Sequence, residues 1–195
     1  MALNLAKFND KFVFDLAPLI EPKITLNNDF KEVGKNIITK FVPGISLRKI
    51  SLEYFVRDLA RVRDIESFFI NSCKGRLESF YMPSFKKDFE ILGESANNNN
   101  FSAKRQNSNF GVISQILNIS IPQSAFMARV IDVRVDTVSD SEIVVLDRNF
   151  SFKIDKDTII NELIKVRFDN DSFEVLKEAN IGYKIALEFA EVMED

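Results

Sequence analysis

Ser51–Gly75 reads SLEYFVRDLARVRDIESFFINSCKG, and its hydrophobic period changes in the middle. Up to Asp58 the side chains alternate. Ile50, Leu52, Tyr54 and Val56 point one way and Ser51, Glu53 and Arg57 the other, with Phe55 an apolar exception. That period of two describes a strand with one buried face. A helix is the competing reading of this run, and its β-branched and aromatic content favours the strand. Beyond Asp58, Val62, Ile65, Phe69 and Cys73 recur at helical spacing, Phe68 widens the stripe, and Arg61, Arg63, Asp64 and Glu66 lie off it. Lys74 suits a last helical turn and Gly75 the position just past it. The principal helix is therefore expected within residues 58–74, lying on a sheet, with Val62, Ile65 and Phe69 as core candidates.

Downstream, Lys74–Leu92 (KGRLESFYMPSFKKDFEIL) becomes the return from helix to sheet. Gly75 is expected at positive φ, RLESFYM as a short strand closed by Pro83, and DFEIL as the next strand. The aromatic residues of the chain are 19 Phe against 3 Tyr and no Trp, and Phe has no polar handle, so packing is favoured over base stacking. Phe80 and Phe89 are core candidates. Tyr81, Phe85, Lys86 and Lys87 are candidates for a subunit interface. Glu78, Asp88 and Glu90 balance Arg76, Lys86 and Lys87 locally, which weakens a nucleic-acid reading of the stretch.

Further out, KITLNNDF and NIITKFV read as strands, the first turning at Asn27-Asn28-Asp29 and the second closed by Pro43-Gly44. Residues 93–111 are rich in Asn and Ser and read as a surface loop or linker, with 97–110 expected to be exposed and mobile or ordered only by a neighbouring subunit. FMARVIDVRVDTV alternates cleanly. SDSE and DRN read as turns around IVVLD and FSFKI, IINELI as a short element open to a helical reading, and KVRFD, FEVLKEA and YKIALEFAEV as closing strands. The expected fold is mainly β with one principal α-helix. The expected layout is a β domain with its flanking helix over 1–92, the linker over 93–111, and a small barrel or sandwich over 112–195, whose last strand has the alternative of returning to the first sheet.

The composition excludes several chemistries. The chain has no histidine, which removes His-based triads and His-metal sites. Cys73 is the single cysteine, so an internal disulfide is impossible, a composition that fits a reducing compartment. Cys73 itself reads as a small core residue rather than a nucleophile. The net charge of -3 gives no general attraction to DNA or to anionic membranes. DNDSFEVLKEAN starts like a calcium loop at Asp169 and Asp171, then fails at Phe173, Glu174 and Asn180. No phosphate-binding glycine loop is present, and no catalytic, cofactor-binding or metal-binding residue is expected.

The helix ending in Phe68-Phe69, followed by KGRLESFYMPSFKKDFEI, resembles the minor tail, distal tail and baseplate proteins of long-tailed bacteriophages and the related tail-tip proteins of gene transfer agents. IKVRFDNDSFEV (Ile164–Val175), followed closely by IGYKIALEFAEV (Ile181–Val192), is similar to the C-terminal hairpin of such proteins. The resemblance covers roughly residues 45–92 and 160–193, and members often carry Trp where this chain has Tyr81 and Phe85. It implies a tail-tube-like β-sandwich or split barrel flanked by a helix, and a structural rather than catalytic role. It also implies a homo-oligomeric ring, a hexamer with a trimer as the alternative, joining the tail tube to the baseplate hub. DNA would pass its channel without specific binding, no membrane or cofactor would be involved, and the protein would reside in the virion tail tip after assembly in the bacterial cytoplasm. Two other classes stay open: a small β-barrel binding nucleic acid or a ligand beside a dimerisation domain, and an enzyme using a carboxylate pair alone.

Overall fold

The computed structural model describes residues 5–19, 22–26, 30–33, 36–39, 48–105, 115–121, 124–178 and 181–192. The chain is mainly β. The strands are β1 (Lys7–Phe8), β2 (Lys11–Phe12), β3 (Lys23–Leu26), β4 (Phe30–Val33), β5 (Asn36–Thr39), β6 (Arg48–Val56), β7 (Phe80–Pro83), β8 (Ser95–Lys104), β9 (Ile116–Ile121), β10 (Ser124–Asp136), β11 (Ser141–Ile154), β12 (Ile160–Phe168), β13 (Val175–Glu178) and β14 (Gly182–Glu191). Among the described residues one α-helix, α1 (Leu59–Ser67), stands between β6 and β7 and runs into a π-helical turn over Phe68–Ser72. The turn expected at Asn27-Asn28-Asp29 and the stop at Pro43-Gly44 lie outside the described residues.

Two compact units divide the chain: Met1–Met82 with Lys165–Asp195, and Pro83–Ile164. These bounds differ from the expected 1–92, 93–111 and 112–195, and the alternative that reading carried, a last strand returning to the first sheet, is what β14 does: it pairs with β6 over eight positions from Tyr183 opposite Val56 to Ala190 opposite Lys49. Backbone pairing of that extent ties the end of the chain to its first part.

In the first unit β3, β6 and β14 run antiparallel side by side, with Ile24 opposite Ile50 and Leu52 opposite Leu187. The other edge of β14 pairs with β13 along its first half and with the end of β12 along its last residues, Phe168 opposite Phe189. The alternation read in the sequence places Ile50, Leu52, Tyr54, Ile185, Leu187 and Phe189 in the interior. Helix α1 begins where Asp58, in extended backbone, accepts a hydrogen bond from Ala60 N at 2.8 Å, which satisfies one orphan donor of the first turn. Val62 and Ile65 are buried, while Arg61, Arg63 and Glu66 stay exposed.

The π turn follows, with Cys73 N donating to Phe68 O at 3.0 Å. The wider turn turns the adjacent Phe68 and Phe69 inward together, and both are buried. Phe68 stacks on Phe14 at 5.1 Å and meets Phe80 edge-on at 5.2 Å, and Phe69 meets Phe168 at 4.8 Å. Phe80 also touches Phe168 and Phe189. Each such ring removes roughly 150–250 Å² from water, so this aromatic cluster dominates the packing of the unit. Lys74 (φ 51) and Gly75 (φ 65) then end the helix in the left-handed region, with Gly75 N donating to Phe69 O. The β1–β2 hairpin turns on Asn9 (φ 47) and Asp10 (φ 61). Two left-handed residues are what a two-residue hairpin loop with the right twist requires.

The second unit is an antiparallel succession in which the first residues of β12 pair with β9, β9 with β10, β10 with β11, and β11 with β8. Its core gathers Leu117, Ile119, Ala128, Val130, Val144, Leu146, Phe150 and Ile160 around Phe89 and Phe101, whose rings meet edge-on at 5.7 Å.

Several expectations are corrected here. The Asn-rich stretch read as a linker forms β8, because its backbone pairs with β11 while Phe101 and Ala103 supply the two core contacts. Residues 106–111 of that stretch lie outside the described residues. The turn expected at Asp147-Arg148-Asn149 is an irregularity inside one long strand, where Val145 faces Asn100 and Phe150 faces Asn98. A bulge in β10 between Val130 and Asp132 breaks the expected alternation, so Val133 rather than Asp132 follows Val130 onto the core side. IINELI is strand, held between β9 partners from Ile160 opposite Ile119 to Leu163 opposite Ile116. The strand in RLESFYM is confined to Phe80–Pro83, and DFEIL contributes only an isolated bridge from Ile91 to Ala103.

Candidate interaction surface

The segment from Ser84 to Asp88 is a loop fastened to β12 by backbone and side-chain hydrogen bonds together. Ser84 N donates to Glu162 O at 2.8 Å and Asp88 N to Ile160 O at 3.0 Å. The Asp88 carboxylate accepts from Glu162 N at 2.7 Å and from the Ser84 hydroxyl, and the Asn161 amide donates to Lys86 O. Burial holds the Asp88 carboxyl above the usual carboxylate range, against the opposing pull of the Glu162 N–H and the Ser84 hydroxyl. Between these fastenings Phe85 takes φ 57, uncommon for a bulky side chain, and is half-buried. Lys86 and Lys87 are exposed, and Lys87 Nζ donates to Lys156 O. Phe85, Lys86 and Lys87 therefore stand together on a rigidly held loop.

Tyr81 does not join them, which corrects its assignment to an interface. It is 3% exposed, meets Phe8 edge-on at 5.6 Å, and accepts Phe14 N at its carbonyl. The cause is the β1–β2 hairpin, whose weak sequence pattern gave no sign that it would cover this position. The core candidates Val62, Ile65, Phe69, Phe80 and Phe89 are all buried.

A second surface lies outside the residues singled out from the sequence. β10 and β11 are 13 and 14 residues long and are joined by the turn Thr137–Asp140. Around that end Ile131, Val135, Val138 and Ile143 are exposed, and Val138 is 94% exposed. Charges of both signs surround them: Asp132, Asp136 and Asp140, with Arg134 bonding Asp132 at 2.9 Å, Lys104 opposite Ser141, and Arg105 N donating to Asp140 O at 3.1 Å. Asp136 accepts the Ser139 hydroxyl at 2.7 Å and Val138 N at 2.9 Å, and these bonds hold its carboxyl below the usual range. The available signal was Val138 itself, an aliphatic residue inside a Ser/Asp turn where solvated residues are the rule.

Other candidate chemistries find structural explanations. Cys73 is buried, and desolvation with the nearby Glu78 carboxylate pushes its thiol up to about 12, far from a reactive thiolate. Asp171, tested above as a calcium ligand, accepts Arg76 N at 3.0 Å and Arg76 Nε at 2.9 Å, while Asp169 bonds Lys49 at 2.9 Å. Among the described residues no group of three or more acidic or Cys side chains is placed to hold a metal ion. No helix among them is long and apolar enough to cross a membrane. An open depression of about 310 Å³ lies by Leu92, Gly93, Glu94 and Lys153, where Lys153 Nζ is 2.6 Å from Glu94 and 3.8 Å from Asp155. No protein-family model matches the chain, and no curated protein does.

Proposed function

We propose that this chain is a structural component of a bacteriophage tail tip or baseplate, forming a homo-oligomeric ring that joins the tail tube to the hub. In this reading the fold is a tail-tube-like sandwich or split barrel with an attached smaller β region, and the protein is not an enzyme. The observation that supports it is the end of the β10–β11 hairpin, where Ile131, Val135, Val138 and Ile143 stand in water on a solitary chain. Val135, opposite Glu142, and Ile143, opposite Arg134, stand on the two faces of this end; exposed aliphatic side chains there mark a surface that a neighbouring subunit would cover, and symmetric assembly is the common way to supply one. The motif order from Asp58 through Leu92 supports the reading from the side of the sequence. Particle mass in solution combined with negative-stain imaging tests it. Rings or stacked discs, with masses several times the 22.4 kDa of one chain, are expected. A chain that remains monomeric at every concentration reached overturns it.

A further inference from the structure

We draw no further inference here: the strongest candidate, the end of the β10–β11 hairpin where Ile131, Val135, Val138 and Ile143 are exposed, carries its aliphatic side chains on both faces among charges of both signs, and nothing in the structure shows what covers it.

Discussion

Gly75 sits at φ 65, and a β-carbon there would stand 2.6 Å from Asp171 Oδ1. Gly75→Ala is therefore expected to lower unfolding stability by about 1–3 kcal/mol, through left-handed strain and through displacement of the carboxylate that holds Arg76. The loss should shrink in an Asp171→Ala background, where the collision is gone and the strain remains; urea midpoints of the four chains measure it. Asp88 makes a prediction of opposite character. Its folded-state carboxyl binds its proton more tightly than the unfolded one, since burial raises it. Between the ordinary carboxylate range and that raised value the native state holds more protons than the unfolded state, so stability falls as pH rises through the window. Asp88→Asn should flatten this slope, and urea midpoints taken across the mildly acidic range check it.

At the scale of elements, the bulge at Ile131 decides which side chains of β10 face inward. A strand has a period of two, so removing one paired residue exchanges its faces. Ile131 is the extra residue of the bulge, so deleting it leaves Asp132 opposite Val145 and Val133 opposite Val144 and is expected to lower the urea midpoint little more than Ile131→Ala, whereas deleting Ile131 and Asp132 together brings Arg134 to the side now held by Val133 and is expected to lower it far more. The same residue shows where sequence reading stops. Helix α1 was legible because Val62, Ile65 and Phe69 mark one face against exposed arginines, and β6 because Leu52 and Tyr54 alternate with polar residues. β8 was not, since Asn97–Asn100 carry no apolar alternation and the strand is specified by pairing with a distant β11. β12 was ambiguous because Ile160, Asn161, Leu163 and Ile164 are all buried, leaving no period to read. Of the candidate surface, Phe85, Lys86 and Lys87 were legible as an aromatic-basic run. The fastening by Asn161 and Glu162 was not, because it joins residues more than seventy positions apart in the chain.

At the scale of the whole molecule each unit has its own aromatic core, and substitutions should report on them separately. Phe80→Ala, in the cluster with Phe14, Phe68 and Phe168, and Phe89→Ala, packed on Phe101, are each expected to cost about 3–5 kcal/mol. Hydrogen exchange read unit by unit should show the Phe80 change opening amides of β6 and β14, and the Phe89 change opening those of β8 and β9. Lys86→Ala should change the unfolding free energy, read from urea titration, by no more than about 0.5 kcal/mol. The pairing of β6 with β14, Tyr54 beside Ile185, has a consequence for synthesis. A ribosome delivers Pro83–Ile164 in full before the strand that completes Met1–Met82 has been made. On the growing chain the earlier segment must wait as an open β edge while the later one becomes compact. Nascent chains stalled after Ile164 should thus resist protease across their inserted middle and be cut within β6, whereas chains released after Glu191 should resist at both. Premature termination before β14 would leave that waiting edge exposed, and such fragments are expected to aggregate rather than to assemble.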